Sequence, residues 1–370
     1  MFRPGDPIPM FACRAANTDA YHFDTVAGRY IVLSFLGSSV QAPAAELIRL
    51  VHGDLRSRFD DTFLAFYGVT IDPDDHAQGR VQQDLPGIRY LFDFDHAVSR
   101  LYGAVVGDGS GGRVQYTPLT LVLDRRLRVI ASVPWVSIAA HNEELRAVLD
   151  RLPPLEDAAA PALVIPRIFE PELCRELIAL HQTNGGRESP FMRELGGKTT
   201  PVLDYGFKRR TDFFFEEEPE FAALRGGLDR RIQQRLVPEL QKAFQFSITR
   251  IERYLIACYD AEVGGFFRPH RDNTTRGTAH RKFACTINLN ADDYEGGDLR
   301  FPEFGERTYR APTGGAVVFS CSLLHEARPV TKGTRFAFLP FFYDDDGAAL
   351  RKKNQAFVSE QVVDRREVGS

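Results

Sequence analysis

Two residues in the C-terminal half, His270 and Asp272, could bind one metal ion together. They are separated by a single residue, and in an extended segment the side chains of residues i and i+2 point the same way. An imidazole and a carboxylate presented side by side suit a divalent transition metal. A His-x-Asp pattern also arises by chance, so a surface loop in which Asp272 forms an ion pair is the alternative interpretation.

Two residues further along the chain favour the metal site. His325 follows Asp272 by 53 positions and comes just after an apolar run, and Arg335 lies ten positions later at the start of another. Two histidines and one carboxylate form the facial triad that leaves neighbouring positions open on Fe(II). Those positions could take a bidentate 2-oxo acid and O₂. An arginine among apolar neighbours needs a buried anion, and Arg335 could hold the distal carboxylate of 2-oxoglutarate through a forked ion pair. A strand-edge arginine is the alternative.

The segments around these residues predict a β-rich domain that follows two helices. The helices begin at Pro171 and near Pro219, and after them the apolar period changes to two. Short strands with Gly-rich turns indicate a β-sandwich or jelly-roll core supported by helices, in which distant segments return to one mouth of the barrel. The predicted strands are Ile251–Tyr259, Lys282–Asn290, Asp298–Phe301, Ala316–Cys321 and Arg335–Tyr343.

From about residue 164 to 346 the chain resembles the prolyl-4-hydroxylase type of Fe(II)/2-oxoglutarate-dependent dioxygenases. The resemblance rests on an ordered series of motifs: Cys258-Tyr259, Gly264-Gly265, His270 to Asn273, Ile287 to Asn290, Tyr294 to Phe301, Pro312, Gly314, Val318-Phe319, His325-Glu326, Pro329-Val330, Gly333 and Arg335. It implies that His270, Asp272 and His325 bind iron and act as the catalytic centre. It also implies that Arg335 binds 2-oxoglutarate. Tyr259 is either a further hydrogen-bond donor to this co-substrate or a packed strand aromatic.

The same resemblance implies 2-oxoglutarate- and O₂-dependent hydroxylation of an unactivated C–H bond, with ascorbate as a candidate reductant. Asp272 bears on the reaction type, because halogenases that resemble this family leave that ligand position open for chloride. Ala337 departs from the family pattern, which often has a small hydroxyl residue two positions after the arginine. The candidate substrates are a prolyl residue, a free amino acid or another small molecule, and polar loops at 185–210 and 273–280 are expected to cover the site.

The N-terminal half alternates strand-like and helix-like runs, which indicates an α/β domain. Residues 4–135 resemble the peroxiredoxin branch of the thioredoxin fold. The resemblance rests on Gly5 to Phe11, the strand Val32 to Phe35, and Thr117-Pro118 as the cis-proline turn of that branch. The catalytic cysteine would fall within 37–46, where Pro43 takes the expected position and no cysteine occurs. Because such a peroxidase needs a thiolate, this domain is interpreted as non-catalytic, with dimerisation, substrate gating or partner binding as candidate roles.

Composition is that of soluble globular domains, with 44% apolar and 26% charged residues. The net charge of −4 gives no basic field for nucleic acid or an anionic membrane, and short arginine pairs such as Arg209-Arg210 are interpreted as solvated faces. Five cysteines without a Cys-x-x-Cys pair do not suggest a disulfide framework. The N-terminus lacks an apolar signal segment and no apolar run has the length of a membrane span, so a cytoplasmic location is expected.

Together these patterns predict an α/β thioredoxin-like domain at 1–152, a linker at 153–162, an α+β double-stranded β-helix (jelly-roll) oxygenase domain at 163–346 and a C-terminal tail at 347–370. Two competing hypotheses stay open. The first is a thiol-redox module, motivated by the N-terminal resemblance. The second is a partner-binding protein with a vestigial oxygenase site. A homodimer that acts on a small-molecule or peptidyl substrate is the expected assembly.

Overall fold

The computed structural model describes residues 2–106 and 115–365, so the end of the predicted C-terminal tail, 366–370, lies outside the described residues. The chain divides into two compact units. Unit 1 comprises Met1–Ala158 with Pro302–Gly305, and unit 2 comprises Ala159–Phe301 with Glu306–Ser370. Among the helices that the structure describes, none combines the length and the apolar character needed to cross a bilayer.

Unit 1 contains nine strands and four α-helices within its described residues. The strands are β1 (Ala12–Ala15), β2 (Thr18–His22), β3 (Tyr30–Gly37), β4 (Leu64–Thr70), β5 (Ile88–Phe92), β6 (Val105–Val106), β7 (Gln115–Tyr116), β8 (Leu119–Leu123) and β9 (Val129–Val133). The helices are α1 (Ala42–His52), α2 (Pro73–Ala77), α3 (Ala97–Leu101) and α4 (Ile138–Asp150).

The main sheet of unit 1 has the strand order β2-β1-β5-β4-β3-β8-β9. Strands β3, β4 and β5 are parallel, and β8 and β9 form an antiparallel hairpin. Every residue of β3 and β4 is buried, which explains their continuous apolar runs. Helices α1 and α4 share one apolar core with this sheet. The predicted thioredoxin-like α/β fold is confirmed.

Two details of unit 1 differ from the prediction. Apolar residues at helical spacing from Ala44 to Phe59 predict one helix, but α1 ends at His52, because Gly53 leaves the helical conformation with φ −100° and ψ −105°. The predicted cis-proline turn at Thr117-Pro118 is wrong, since the cis peptide bond among the described residues is Leu85–Pro86. The amide of Thr117 instead donates to the carbonyl of Ala104 at 2.7 Å, which holds this segment extended ahead of β8.

Unit 2 is rich in short strands. They are β10 (Leu163–Ile165), β11 (Arg187–Glu188), β12 (Phe191–Leu195), β13 (Lys198–Leu203), β14 (Lys208–Arg209), β15 (Thr211–Phe214), β16 (Arg250–Glu252), β17 (Leu255–Asp260), β18 (Phe266–His270), β19 (Phe283–Asn288), β20 (Glu295–Gly296), β21 (Leu299–Arg300), β22 (Thr308–Tyr309), β23 (Ala316–Ser320), β24 (His325–Ala327), β25 (Val330–Lys332), β26 (Thr334–Phe338), β27 (Phe341–Tyr343) and β28 (Val363–Asp364). Its α-helices are α5 (Pro171–Asn184), α6 (Ala222–Arg231), α7 (Val237–Phe244) and α8 (Asp345–Asn354), with a π-helical turn at Ile232–Leu236 between α6 and α7.

Two antiparallel sheets position the site. The larger sheet has the order β10-β23-β19-β26-β17-β15-β11, with β16 and β27 paired beside it, and the smaller sheet has the order β14-β18-β24-β21-β22. Neighbouring side chains of β26 point to opposite faces. Phe336 and Phe338 pack into the core formed with α5, α6 and α7, so Arg335 belongs to the other face. The double-stranded β-helix itself stays a prediction.

The predicted strands of unit 2 are present, with three departures. The run Ile251–Tyr259 is split into β16 and β17, which pair with β27 and β26 respectively. The run Arg335–Tyr343 is split into β26 and β27, because Pro340 has no amide hydrogen to continue the ladder. The segment 185–210, predicted to be a loop, contains the β12–β13 hairpin. Strand β13 of this hairpin pairs in parallel with β28, which lies in the predicted tail. The tail segment is therefore partly regular structure, with α8 capped by the Asp344 side chain.

Candidate active site

The end of β18 and the start of β24 carry the three candidate metal ligands. His270 and His325 are direct partners across these antiparallel strands, and their ring centroids lie 4.3 Å apart. Asp272 follows β18, and its carboxylate oxygens lie 3.6 Å from His270 Nε2 and 3.2 Å from His325 Nε2. The ligand atoms of all three residues lie within 4.8 Å of one another. The structure thus brings together three side chains that are up to 55 positions apart in the sequence.

Backbone carbonyls set the orientation of both imidazoles. Nδ1 of His270 lies 2.8 Å from the carbonyl oxygen of Arg268, and Nδ1 of His325 lies 3.0 Å from that of Leu323. A carbonyl oxygen can only accept, so each Nδ1 carries the proton and donates it. Each Nε2 is then left with a free lone pair on the side of the ring that faces Asp272, which is the form a metal-binding histidine requires.

The surroundings also favour the protonation states that bind a cation. Burial, together with the neighbouring His325, lowers the pKa of His270 to about 4, so this imidazole is neutral near pH 7. A neutral imidazole beside a carboxylate matches the donor set of a divalent metal.

Aromatic rings enclose the two histidines. Phe267 stacks on His270 with 3.5 Å between ring centroids, and Phe319 lies 4.5 Å from His325. These contacts restrict rotation of the imidazoles and keep apolar surface next to the ligand atoms. Both effects make the three ligand atoms a fixed set rather than a mobile surface cluster.

Arg335 and Tyr259 lie on the larger sheet as direct partners across β26 and β17. Arg335 is 2% exposed, its guanidinium carbon lies 5.0 Å from the centroid of the Tyr259 ring, and its Nη1 donates to the carbonyl of Gly297 at 2.8 Å. The φ of +69° at Gly297 permits this approach, since a Cβ there would lie 2.8 Å from Val330.

The charge of Arg335 lacks a counterpart among the described residues. Its Nε has no hydrogen-bond partner there, and no described carboxylate lies within ion-pair distance of it. Burying a guanidinium without an anion is costly. The residues therefore fit a bound dicarboxylate such as 2-oxoglutarate, whose distal carboxylate would satisfy this buried cation.

One cavity of about 60 Å³ connects the two sets of residues. Its wall is formed by residues of both sheets, among them Tyr259, Phe267, His270, Asp272, Leu299, Phe319, His325, Arg335, Leu339 and Phe341. A cavity of this size has room for on the order of five water molecules. All five residues that the sequence singled out thus line the same cavity, with the three candidate metal ligands at the smaller sheet and Arg335 and Tyr259 on the larger one.

The sequence interpretation missed Arg210, which also lines this cavity. The prediction that Arg209-Arg210 is a solvated face is wrong for Arg210, whose side chain is 5% exposed and lies 2.7 Å from the carboxylate of Asp212. Its Nη1 donates to the hydroxyl of Tyr259 at 2.9 Å. Because that hydroxyl oxygen accepts from Arg210, its own proton stays available to a ligand, which favours the donor interpretation of Tyr259. The spacing of Arg210 and Asp212 beside an aromatic run was the available signal.

Comparison with known proteins agrees with this arrangement. Residues 254–343 match the family model described as the 2OG-Fe(II) oxygenase superfamily. The C-terminal half carries a 2OG-Fe(II) oxygenase domain. The matched segment includes His270, Asp272, His325, Arg335 and Tyr259. The family uses Fe(II) and 2-oxoglutarate with O₂, as the sequence predicted, while ascorbate stays a prediction.

Curated relatives and solved structures match parts of the chain. A PKHD-type hydroxylase from Synechococcus sp. (strain JA-2-3B'a(2-13)) is 30% identical over 118 residues, which cover 29% of this chain and 52% of the hydroxylase. The chain therefore spans about half the length of that relative. One similar structure is a Trichoplax adhaerens prolyl hydroxylase solved with a hypoxia inducible factor peptide. The match covers 51% of this chain and 86% of the hydroxylase chain at 18% identity, with a TM-score of 0.39. A second is peroxidoxin BcpB from Mycobacterium tuberculosis. This match covers 42% of the present chain and 100% of the peroxidoxin chain at 18% identity, with a TM-score of 0.35.

Proposed function

We propose that this chain is a 2-oxoglutarate- and O₂-dependent hydroxylase of an unactivated C–H bond, with His270, Asp272 and His325 as its iron ligands. The observation that carries the proposal is the convergence of these three ligand atoms, within 4.8 Å, on a cavity that also contains the buried and unpaired Arg335. The match of this segment to the oxygenase family is independent support.

The side chains divide the work of such a reaction. When bound, the iron would couple oxidative decarboxylation of 2-oxoglutarate, to succinate and CO₂, to hydroxylation of the substrate. The Nε2 lone pairs of His270 and His325 and the carboxylate of Asp272 would hold it and leave its remaining positions open. Arg335 would bind the distal carboxylate of the co-substrate, and Tyr259 would donate a hydrogen bond to it.

The substrate that we propose is a prolyl residue, a free amino acid or another small molecule with an accessible C–H bond. Two observations support hydroxylation as the outcome. Asp272 fills the ligand position that would otherwise be open to a halide, and the curated relatives are named as hydroxylases. Unit 1 would act as a non-catalytic domain, with dimerisation, gating or partner binding as its proposed roles.

Replacement of one ligand tests the iron site. We expect His270→Ala to reduce Fe(II)-dependent formation of succinate from 2-oxoglutarate at least about 100-fold, because one of three ligands is lost. The matched control is His76→Ala, which removes an exposed histidine of unit 1 and should leave the rate unchanged. Equal rates of succinate formation in His270→Ala and wild type would exclude the proposed function.

Replacement of the anion-binding arginine tests the co-substrate. We expect Arg335→Gln to raise the KM for 2-oxoglutarate about 10- to 100-fold, because a charge-assisted forked ion pair is lost. Lys332→Gln, a change of an exposed cation on the preceding strand, serves as control and should not alter KM. An unchanged KM in Arg335→Gln would assign the co-substrate carboxylate to another residue.

A further inference from the structure

The cavity contains one guanidinium more than iron and 2-oxoglutarate require, and we propose that this residue, Arg253, binds a carboxylate of the substrate. The inference rests on the proposed function and names the chemical class of the molecule that the site accepts. Arg253 precedes β17 and lines the same cavity as the metal ligands and Arg335. The sequence interpretation did not single it out.

Two phenylalanine rings hold the Arg253 side chain in place. Its guanidinium carbon lies 5.8 Å from the centroid of Phe214 and 5.5 Å from that of Phe341, and Phe341 also lines the cavity. The side chain is 24% exposed, so the group is neither free in solvent nor fully enclosed. A planar guanidinium packed against rings in this way keeps its hydrogen-bonding edge available for an incoming carboxylate.

The nearest carboxylate is already used by another cation. Asp212 Oδ2 lies 3.7 Å from Arg253 Nη2, which is beyond hydrogen-bond distance. Arg210 lies much closer to the same carboxylate, since its Nη2 donates to Oδ2 at 2.7 Å and its Nε lies 2.7 Å from Oδ1. Asp212 is therefore the partner of Arg210.

The two neighbouring glutamates are also committed elsewhere. Glu252 lies 2.8 Å from His280 Nε2 and accepts from Arg281 Nε at 2.6 Å. Glu216 accepts a hydrogen bond at 3.3 Å from the backbone amide of Arg253, not from its side chain. Among the residues that the structure describes, none accepts a hydrogen bond from the guanidinium of Arg253. Within the described part of unit 2, its nearest counterpart is the carboxylate of Asp212 at 3.7 Å, which Arg210 already occupies.

A charge balance of the loaded cavity leads to the same residue. Asp272 and the oxo-acid carboxylate of 2-oxoglutarate would balance the two charges of Fe(II), and the distal carboxylate would balance Arg335. Asp212 offsets Arg210, so the single positive charge of Arg253 is left over. Burial lowers the pKa of Arg253 to about 10, which still leaves it protonated near pH 7. An unpaired cation beside an apolar cavity is unfavourable unless a ligand brings the missing negative charge.

The ligand chemistry that fits is a carboxylate, which matches the fork of a guanidinium in shape and charge. It could come from the α-carboxylate of a free amino acid or from an acidic group of a peptide. Two probe pairs separate these sources. The first pair is L-proline and L-prolinamide. The second is a blocked proline-containing peptide with glutamate beside the proline and its glutamine counterpart.

The experiment measures binding of these four probes by calorimetry to the full chain, loaded anaerobically with Fe(II) and 2-oxoglutarate. We expect one acid to bind wild type about 10- to 100-fold more tightly than its amide. Arg253→Gln should bind the acid and the amide with about equal affinity. Arg253→Lys should retain part of the preference. Arg250→Gln, an exposed arginine three positions earlier that pairs with Asp345, is the matched control and should keep all of it.

Each other outcome overturns the inference. No acid preference in wild type, or a preference that survives in Arg253→Gln, would show that this guanidinium does not bind a substrate carboxylate. A loss of 2-oxoglutarate affinity in Arg253→Gln with the acid preference intact would assign Arg253 to the co-substrate instead. Failure of the proposed function is distinguishable, because wild type would then bind no 2-oxoglutarate in the presence of Fe(II). Thermal unfolding of the lysine and glutamine variants verifies that both are folded.

Discussion

An aspartate stands at the centre of a polar cluster in each unit, Asp75 in unit 1 and Asp272 in unit 2. Asp75 is fully buried and accepts three hydrogen bonds, from the backbone amide of Ser39 at 2.9 Å and from the hydroxyls of Ser39 and Thr70 at 2.5 Å. Asp272 faces two imidazole nitrogens whose protons are on the opposite side of the ring. Hydrogen-bond donors alone satisfy a carboxylate, so a cluster like that of Asp75 needs no ligand. Acceptor atoms around a carboxylate, as at Asp272, instead favour binding of a cation.

This contrast is informative because the Asp75 cluster lies where a peroxiredoxin-like domain would have its catalytic loop. Ser39 is in that loop, and Pro43, which takes the expected position of the cysteine, is in the first turn of α1. The hydroxyls of this cluster donate to a carboxylate that needs nothing further. The non-catalytic interpretation of unit 1 thus gains a physical reason, while its role stays a prediction.

The largest expected effect comes from removing the aspartate of unit 2. Asp272→Ala should lower Fe(II)-dependent succinate formation about 10³-fold, equivalent to about 4 kcal/mol of activation free energy. Asp292→Ala, an exposed aspartate of the same unit, should be close to wild type. If Asp272→Ala kept full turnover, the difference between the two clusters would have no catalytic meaning.

Removing the aspartate of unit 1 should affect stability and not turnover. Asp75→Ala leaves buried donors without a partner, which we expect to cost about 2–3 kcal/mol in the free energy of unfolding. Trp135, the single tryptophan of the chain, belongs to unit 1, so its fluorescence during urea unfolding reports this change. Exposed Asp74→Ala is the control. A matching loss of succinate formation in Asp75→Ala would mean that the cluster is not merely structural.

Metal and co-substrate should stabilise one unit selectively. At about a hundredfold excess over Kd, a ligand adds about 2.7 kcal/mol, which raises Tm by roughly 5–10 °C for a unit of this size. We expect this shift for unit 2 when Mn(II) and 2-oxoglutarate are added, and its reversal by a chelator. The Trp135 transition should stay in place. A chelator-sensitive Trp135 transition would indicate a metal effect on unit 1.

The smallest expected effect concerns the cysteines. Burial raises the pKa of the Cys13 thiol to about 12 and that of Cys174 to about 11. Because both values are raised, the thiolate forms only as the pH rises towards these values, and near pH 7 it is scarce. Native protein should therefore react slowly with Ellman's reagent and consume no peroxide, with urea-unfolded protein as the reactive control. Rapid peroxide consumption would revive the thiol-redox hypothesis.

The parts of the site that depend on local spacing could be predicted from the sequence. His270 and Asp272 are two residues apart in an extended segment, and the ordered motifs placed His325 and Arg335 after them. The environment of Arg210 could not be predicted in the same way. Its burial depends on Asp212 and on Tyr259, which comes from a strand that pairs with β15 only in the folded chain.

The β12–β13 hairpin was missed for a related reason. Its sequence is polar and rich in glycine near Gly196-Gly197, which is typical of a loop. Its partner β28 begins 160 positions after the end of β13, at Val363. Local patterns cannot reveal support that comes from so far along the chain. The break between β26 and β27, in contrast, could be predicted from Pro340, because proline has no amide hydrogen to continue the ladder.

The parallel pairing of β28 with β13 has a practical consequence for anyone who shortens this protein. Val202 and Leu203 pair with Val363 and Asp364, so a version that ends near residue 346 would lose this strand together with α8. The open edge of β13 would then be free to pair with other chains. Such a shortened domain is expected to precipitate more readily than the full chain, even though all three candidate metal ligands would still be present.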